Sequence, residues 1–198
     1  MCATKRLSEA ERKKEIMDSA AKVIIEKGFE KATMEDIIAG TTLSKGGVYH
    51  YYGSVVQIFK DIMISGIEYR NEIIKEHLAE LNNEFEKQFF AEQLFNKIID
   101  DNPYMPLYVE FLISKKRNPE LNKLMVELQV QTQKSFQSLT NTFPKWLSDI
   151  NIFQFITHFI NAMIIASDVL DARESFKKHK KLIEEMFILV LEQGNLKL

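Results

Sequence analysis

The residues best suited to chemistry in this 198-residue chain lie in one short run, Ser44-Lys45-Gly46-Gly47-Val48-Tyr49-His50-Tyr51-Tyr52. Ser44 can cap a helix that begins at Lys45, so the run predicts a short helix over Lys45–Tyr52. Its first turn carries one cation and almost no side-chain bulk. The free N–H groups of that turn favour an anion, and two glycines let the backbone come close to it. Lys45 adds positive charge, and the tyrosines add phenol donors that suit a DNA phosphate or a thymine methyl. Eleven residues upstream, Thr33 and Asp36 have the spacing of a capping box that opens another short helix, with Ile37 and Ile38 inward. Gly40 ends it. Two short helices and a tight turn predict a helix-turn-helix, with Lys45–Tyr52 as the recognition helix.

From about Glu11 to Phe59, roughly a quarter of its length, the chain resembles the DNA-binding domain of the TetR family of bacterial transcriptional repressors. Ile16, Ala20, Gly28-Phe29, Thr33, Ile37, Leu43-Ser44, Lys45-Gly46, Tyr49, Tyr52, Ser54 and Phe59 carry the likeness by order and spacing. The resemblance implies DNA contacts at Thr33, Ser44, Lys45, Gly46, Gly47, Tyr49, Tyr51 and Ser54. It also implies a homodimer on a palindromic operator and a small-molecule effector that releases it. Two departures stand out: Thr41-Thr42 replaces the usual Ala-Gly of the turn, and Ser54-Val55 replaces Ser-Lys, which removes a frequent phosphate contact.

Helical spacing sorts the recognition helix without the resemblance. Val48 and Tyr52, four apart, should face the protein, which leaves Tyr49 and Tyr51 for the DNA side. The plainer alternative is that all the tyrosines complete a small core, and for Tyr52 that reading is preferred. His50 stays open between solvent and DNA. Catalysis has little to stand on. His50, His77, His158 and His179 fall on different predicted helices with no metal-ligand spacing, and Cys2 has no nearby base. No Gly-rich phosphate loop follows a strand, because no strand pattern is present. A non-enzyme without metal or cofactor is expected.

The elements around this motif read as all-α, about nine helices, with a three-helix head at 1–52 and a helical body at 53–198. Ser8 and Glu11 form a second capping box, starting a helix that Gly28 should close with a left-handed cap. Ser54 opens a long helix to about Leu81, and Asn118-Pro119 starts another. The last two long helices are expected over Ile150–Leu170 and Ser175–Gln193. Net charge is −2, yet residues 1–60 carry ten Lys/Arg against eight Asp/Glu, which leaves sixteen against twenty in the remainder. The head is the positive end, with few phosphate contacts expected. Lys5, Arg6, Arg12, Lys13 and Lys14 could touch the DNA backbone or simply form a solvated face. A single terminal cysteine fits a reducing cytoplasm, and Met1–Ala10 lacks the apolar core of a signal peptide. Polar residues interrupt Ile150–Leu170, so it reads as a buried or interfacial helix and not a membrane span.

Sixteen of the twenty-one Phe, Tyr and Trp residues lie beyond residue 60. For most of them a filled helical core is the ordinary explanation. The sharper expectation is a cavity for a small apolar or aromatic ligand, lined by Phe90, Tyr104, Tyr108, Glu110, Phe111, Trp146, Phe155, His158, Phe159 and Met163. Glu110 would suit a cationic ligand if it faces inward. The apolar surface of the last two long helices is expected to pair with a second copy as a four-helix interface. Two alternatives remain beside the ligand-released repressor: a DNA-binding regulator controlled by a partner protein or by no ligand, and a ligand-binding helical protein that has lost DNA recognition.

Overall fold

The computed structural model describes residues 7–78, 86–139 and 150–193. Among them are ten α-helices and one 3-10 turn. They are α1 (Glu9–Lys27), the 3-10 turn (Phe29–Lys31), α2 (Met34–Ala39), α3 (Lys45–Tyr51), α4 (Val55–Leu78), α5 (Glu86–Ile99), α6 (Met105–Ser114), α7 (Pro119–Leu139), α8 (Ile150–Val169), α9 (Arg173–Lys178) and α10 (Lys180–Gln193). The protein is all-α, as its spacing predicts, and local caps explain several of the starts. Ser8 Oγ accepts the Glu11 N–H at 3.2 Å while Glu11 Oε2 accepts the Ser8 N–H at 2.7 Å. Asn118 Oδ1 accepts the Glu120 and Leu121 N–H groups at 2.9 and 3.2 Å, ahead of a helix that begins with proline.

One predicted helix is two. The stretch expected as Ser175–Gln193 is divided at His179, whose φ of −109° and ψ of 26° leave the helical region. Its N–H is shared between the Ser175 and Phe176 carbonyls at 3.2 and 3.0 Å. Upstream, α8 closes through Asp171 in the left-handed region, φ 56°, with the Ala172 N–H reaching back to Ala166 O at 3.1 Å. Gly28 also departs from expectation. Its φ is positive at 77°, but ψ is 156°, a region that glycine alone enters without strain.

The chain packs as two units, Met1–Ile67 with Pro106–Gln129, and Glu68–Met105 with Val130–Leu198. In the first, α1 packs on α2, with Ile16, Ala20, Ile24 and Ile37 fully withdrawn from solvent. The Phe29 ring stacks on Phe59 at 5.1 Å, and Phe59 meets Phe111 edge-on at 5.9 Å. Glu110 of α6 accepts the Phe29 backbone N–H and the Ser114 hydroxyl, both at 2.7 Å. Ion pairs Arg117–Glu30 and Lys60–Glu127 lie on the outside of this unit. α6 and the link between α6 and α7 are therefore bonded to the turn that precedes α2.

In the second unit α5 is central, packing on α8, α9 and α10. Phe95, Ile98, Ile164, Phe187 and Leu191 are buried there, and Phe159 meets Phe187 edge-on at 5.7 Å. Lys180 Nζ joins the helices, 2.8 Å from Glu92 and 5.7 Å above the Phe95 ring. The stretch Asn151–Val169 has a mean hydropathy of 1.4, yet only 22% of it is buried. Phe155 and Val169 from α8, with Leu182, Met186 and Leu189 from α10, are exposed.

Candidate nucleic-acid interface

The candidate interface is built from two short helices, each fixed by its own cap. Thr33 Oγ1 accepts the Asp36 N–H at 3.1 Å and donates to Asp36 Oδ2 at 2.8 Å. Asp36 also binds Lys27 Nζ at 2.6 Å, and that bond, then those from Thr33, holds its carboxyl below the ordinary range. Ser44 Oγ accepts the Gly47 N–H at 3.2 Å and starts α3. Val48 is buried, which points the opposite face of α3 outward.

The turn between the helices is anchored from α1. Glu15 Oε1 accepts the Thr42 N–H at 2.5 Å, while Arg12 Nη1 reaches Glu15 Oε2 at 3.2 Å and Thr42 Oγ1 at 3.1 Å. The Thr42 bonds, ahead of Arg12, hold the Glu15 carboxyl below its usual range. Thr41 Oγ1 donates to Ile38 O at 3.0 Å and accepts the Leu43 N–H at 3.3 Å. Both threonines of the unusual turn are thus tied by their side chains. Arg12, Lys13 and Lys14 are held by Glu15, Glu9 and Asp18, whereas Lys5 and Arg6 lie outside the described residues.

On the outward face, Lys45 is 67% exposed and Tyr49 41% exposed, with the Lys45 ammonium 5.8 Å from the Tyr49 ring centre. Lys45 Nζ pairs with Glu35 Oε1 at 3.1 Å. A Cβ built on Gly46 would meet nothing within 4 Å beyond its chain neighbours and its own helix backbone. Gly47 is tighter, facing Leu43 at 3.3 Å. Tyr51 is half-buried and edge-on to the exposed His50 at 5.0 Å. Tyr52 turns inward, 4% exposed, and its hydroxyl donates to Asp61 Oδ2 at 2.8 Å. Burial, then Asp61, pushes that phenol well above its ordinary value. Ser54 Oγ accepts the Gln57 N–H at 3.3 Å and opens α4. Glu35, Glu15 and Asp61 were not singled out by the sequence pattern, and only their place on helix faces near the motif could have suggested them.

The aromatic set expected to line a cavity is divided between the two units. Tyr108, Glu110 and Phe111 belong to the first unit, while Phe90, Tyr104, Phe155, His158, Phe159 and Met163 belong to the second. Trp146 lies outside the described residues. Phe90 and Phe111 are buried, Tyr104 rests against Tyr69 at 5.8 Å, and Met163 is half-buried. Three of these residues have defined surroundings. Glu110 Oε1 is engaged by the Phe29 N–H and the Ser114 hydroxyl. Phe155, 53% exposed and stacked on Phe159 at 6.2 Å, faces outward with the exposed His158. Among the described residues, no group of three or more His, Cys, Asp or Glu side chains is placed to hold a metal ion.

Two capped helices around a bonded turn, the second presenting a lysine and a bare glycine, define a helix-turn-helix protein. Residues 16–62 match the family model described as "Bacterial regulatory proteins, tetR family". The chain is 30% identical over 117 residues to the uncharacterised HTH-type transcriptional regulator YfiR of Bacillus subtilis, a match covering 55% of this chain and 54% of that protein. The chain thus matches about half the length of that relative. It is 24% identical over 174 residues to IcaR of Staphylococcus aureus, the negative transcriptional regulator of the biofilm operon icaADBC, covering 87% of this chain and 89% of IcaR. The solved structure of Salmonella enterica GusR shares the fold with a TM-score of 0.72 at 15% identity, covering 96% of this chain and all of that one. Residues 16–62 thus resemble the TetR family of bacterial regulatory proteins, and the chain as a whole shares the fold of GusR.

Proposed function

We propose that the protein is a transcriptional repressor that binds a palindromic operator as a homodimer in the bacterial cytoplasm and leaves it when a small apolar or aromatic ligand binds the helical body. The observation that carries this reading is the outward face of α3, where Lys45 and Tyr49 flank a Gly46 with open space in front of it. A backbone left bare beside a cation and a phenol suits close approach to a phosphate and a base edge. Thr33, Ser44, Gly47, Tyr51 and Ser54 border that face and would add backbone contacts. The exposed apolar residues of α8 and α10 support pairing with a second copy, which sets two recognition helices about one DNA turn (~34 Å) apart. Ligand binding would act through α4, which contributes Val55–Ile67 to one unit and Glu68–Leu78 to the other.

The test is binding of the purified protein to DNA flanking its own gene, measured across a salt series. Saturable, salt-sensitive binding of a dimer to one palindrome supports the reading, and the same complex then serves to screen for releasing ligands. Weak binding that ignores sequence would overturn it.

A further inference from the structure

An acidic side chain stands on the face where only positive charge is expected. Glu35 lies in the first turn of α2 and Lys45 opens α3, yet Lys45 Nζ is 3.1 Å from Glu35 Oε1. The two side chains are 67% and 66% exposed. The bond to Glu35 raises the Lys45 pKa, and the same bond lowers that of Glu35, so both stay charged throughout the neutral range. An ion pair this exposed contributes little to stability. Its placement is the informative feature. Any phosphate approaching Lys45 also approaches the Glu35 carboxylate and is repelled by it, so the pair is poorly designed for holding DNA backbone.

The pair is better matched to a base edge. It offers a donor beside an acceptor at ordinary hydrogen-bond spacing. In the major groove a G·C pair offers the reverse, the guanine O6 and N7 acceptors beside the cytosine N4 donor. We propose that Lys45 and Glu35 act as one unit that reads a G·C base pair in each half-site, Lys45 donating to guanine and Glu35 accepting from the cytosine amino group. On unrelated DNA, Glu35 meets phosphates and unmatched acceptors, so it raises specificity by lowering affinity for wrong sites. The inference rests on α3 being the recognition helix.

Binding sites selected from a random DNA library by the wild-type protein should carry a G·C pair at one fixed position of each half-site. Glu35→Ala should relax that preference, leaving only the Lys45 contact to guanine, and bind unrelated DNA roughly three- to tenfold more tightly. Its dependence of log Kd on log salt should steepen by about one unit per protomer. Because Glu35 is exposed, thermal melts of the two proteins should nearly coincide. If Glu35→Ala selects the same sites with the same salt slope, or if the wild-type sites hold no fixed G·C pair, the inference alone falls. If the wild-type protein selects no site at all, the reading of α3 falls and takes the inference with it.

Discussion

A Cβ at Gly46 would enter open space, whereas at Gly47 it would crowd Leu43 and Ser44 at 3.3 and 3.4 Å. Alanine favours a helix over glycine by up to about 1 kcal/mol, so folding gives no reason for Gly46 to lack a side chain. Gly46→Ala should leave the melting temperature unchanged or slightly raised and weaken DNA binding by about tenfold or more in a titration, a loss of at least ~1.4 kcal/mol. Unchanged binding would mean the α3 backbone does not approach DNA there. At this scale the outward placing of Lys45 and Tyr49, and the inward placing of Val48 and Tyr52, were legible because helical period alone sorts them. Glu35 was not legible. Its partner is ten residues away on another helix, and a lone carboxylate on a helix face carries no periodic signal.

Between elements, Tyr52 joins the end of α3 to α4 through Asp61. Its pKa in the folded state is raised above the ordinary 10.0, so the folded protein keeps a proton that the unfolded chain releases. The contribution is intact below about pH 10 and declines as pH rises beyond it, because the unfolded state then binds fewer protons. Urea melts from pH 8 to 11 should show a steeper alkaline loss for wild type than for Tyr52→Phe. At neutral pH the variant should be less stable by about 1 kcal/mol, having lost the hydrogen bond. Parallel curves would relieve Tyr52 of that role. Helix starts were legible wherever the cap is local, as at Ser8, Thr33, Ser44 and Asn118. The divide at His179 was not, since neither glycine nor proline marks it. The Glu15–Thr42 and Glu110–Phe29 bonds join residues 27 and 81 positions apart, a pairing that exists only after packing.

For the molecule as a whole, the exposed apolar residues of α8 and α10 are the surface that the proposed homodimer would use. Leu182 and Leu189, 56% and 58% exposed, lie two turns apart on α10. Leu182→Asp with Leu189→Asp should halve the mass seen by light scattering, keep the helical circular dichroism, and weaken operator binding sharply, since one half-site then binds alone. A variant that keeps the wild-type mass would move the interface elsewhere. The Glu110–Phe29 contact has a different bearing, on how the parts of such regulators can be exchanged. Glu110 takes hold of a backbone N–H and not of the phenylalanine ring, so the bond is indifferent to which side chain occupies that position. A chimera cut near residue 52 could bring in a foreign head and still be gripped by the resident Glu110, provided the graft preserves the turn and does not place proline there. The grip belongs to the recipient, and the graft need only offer its main chain.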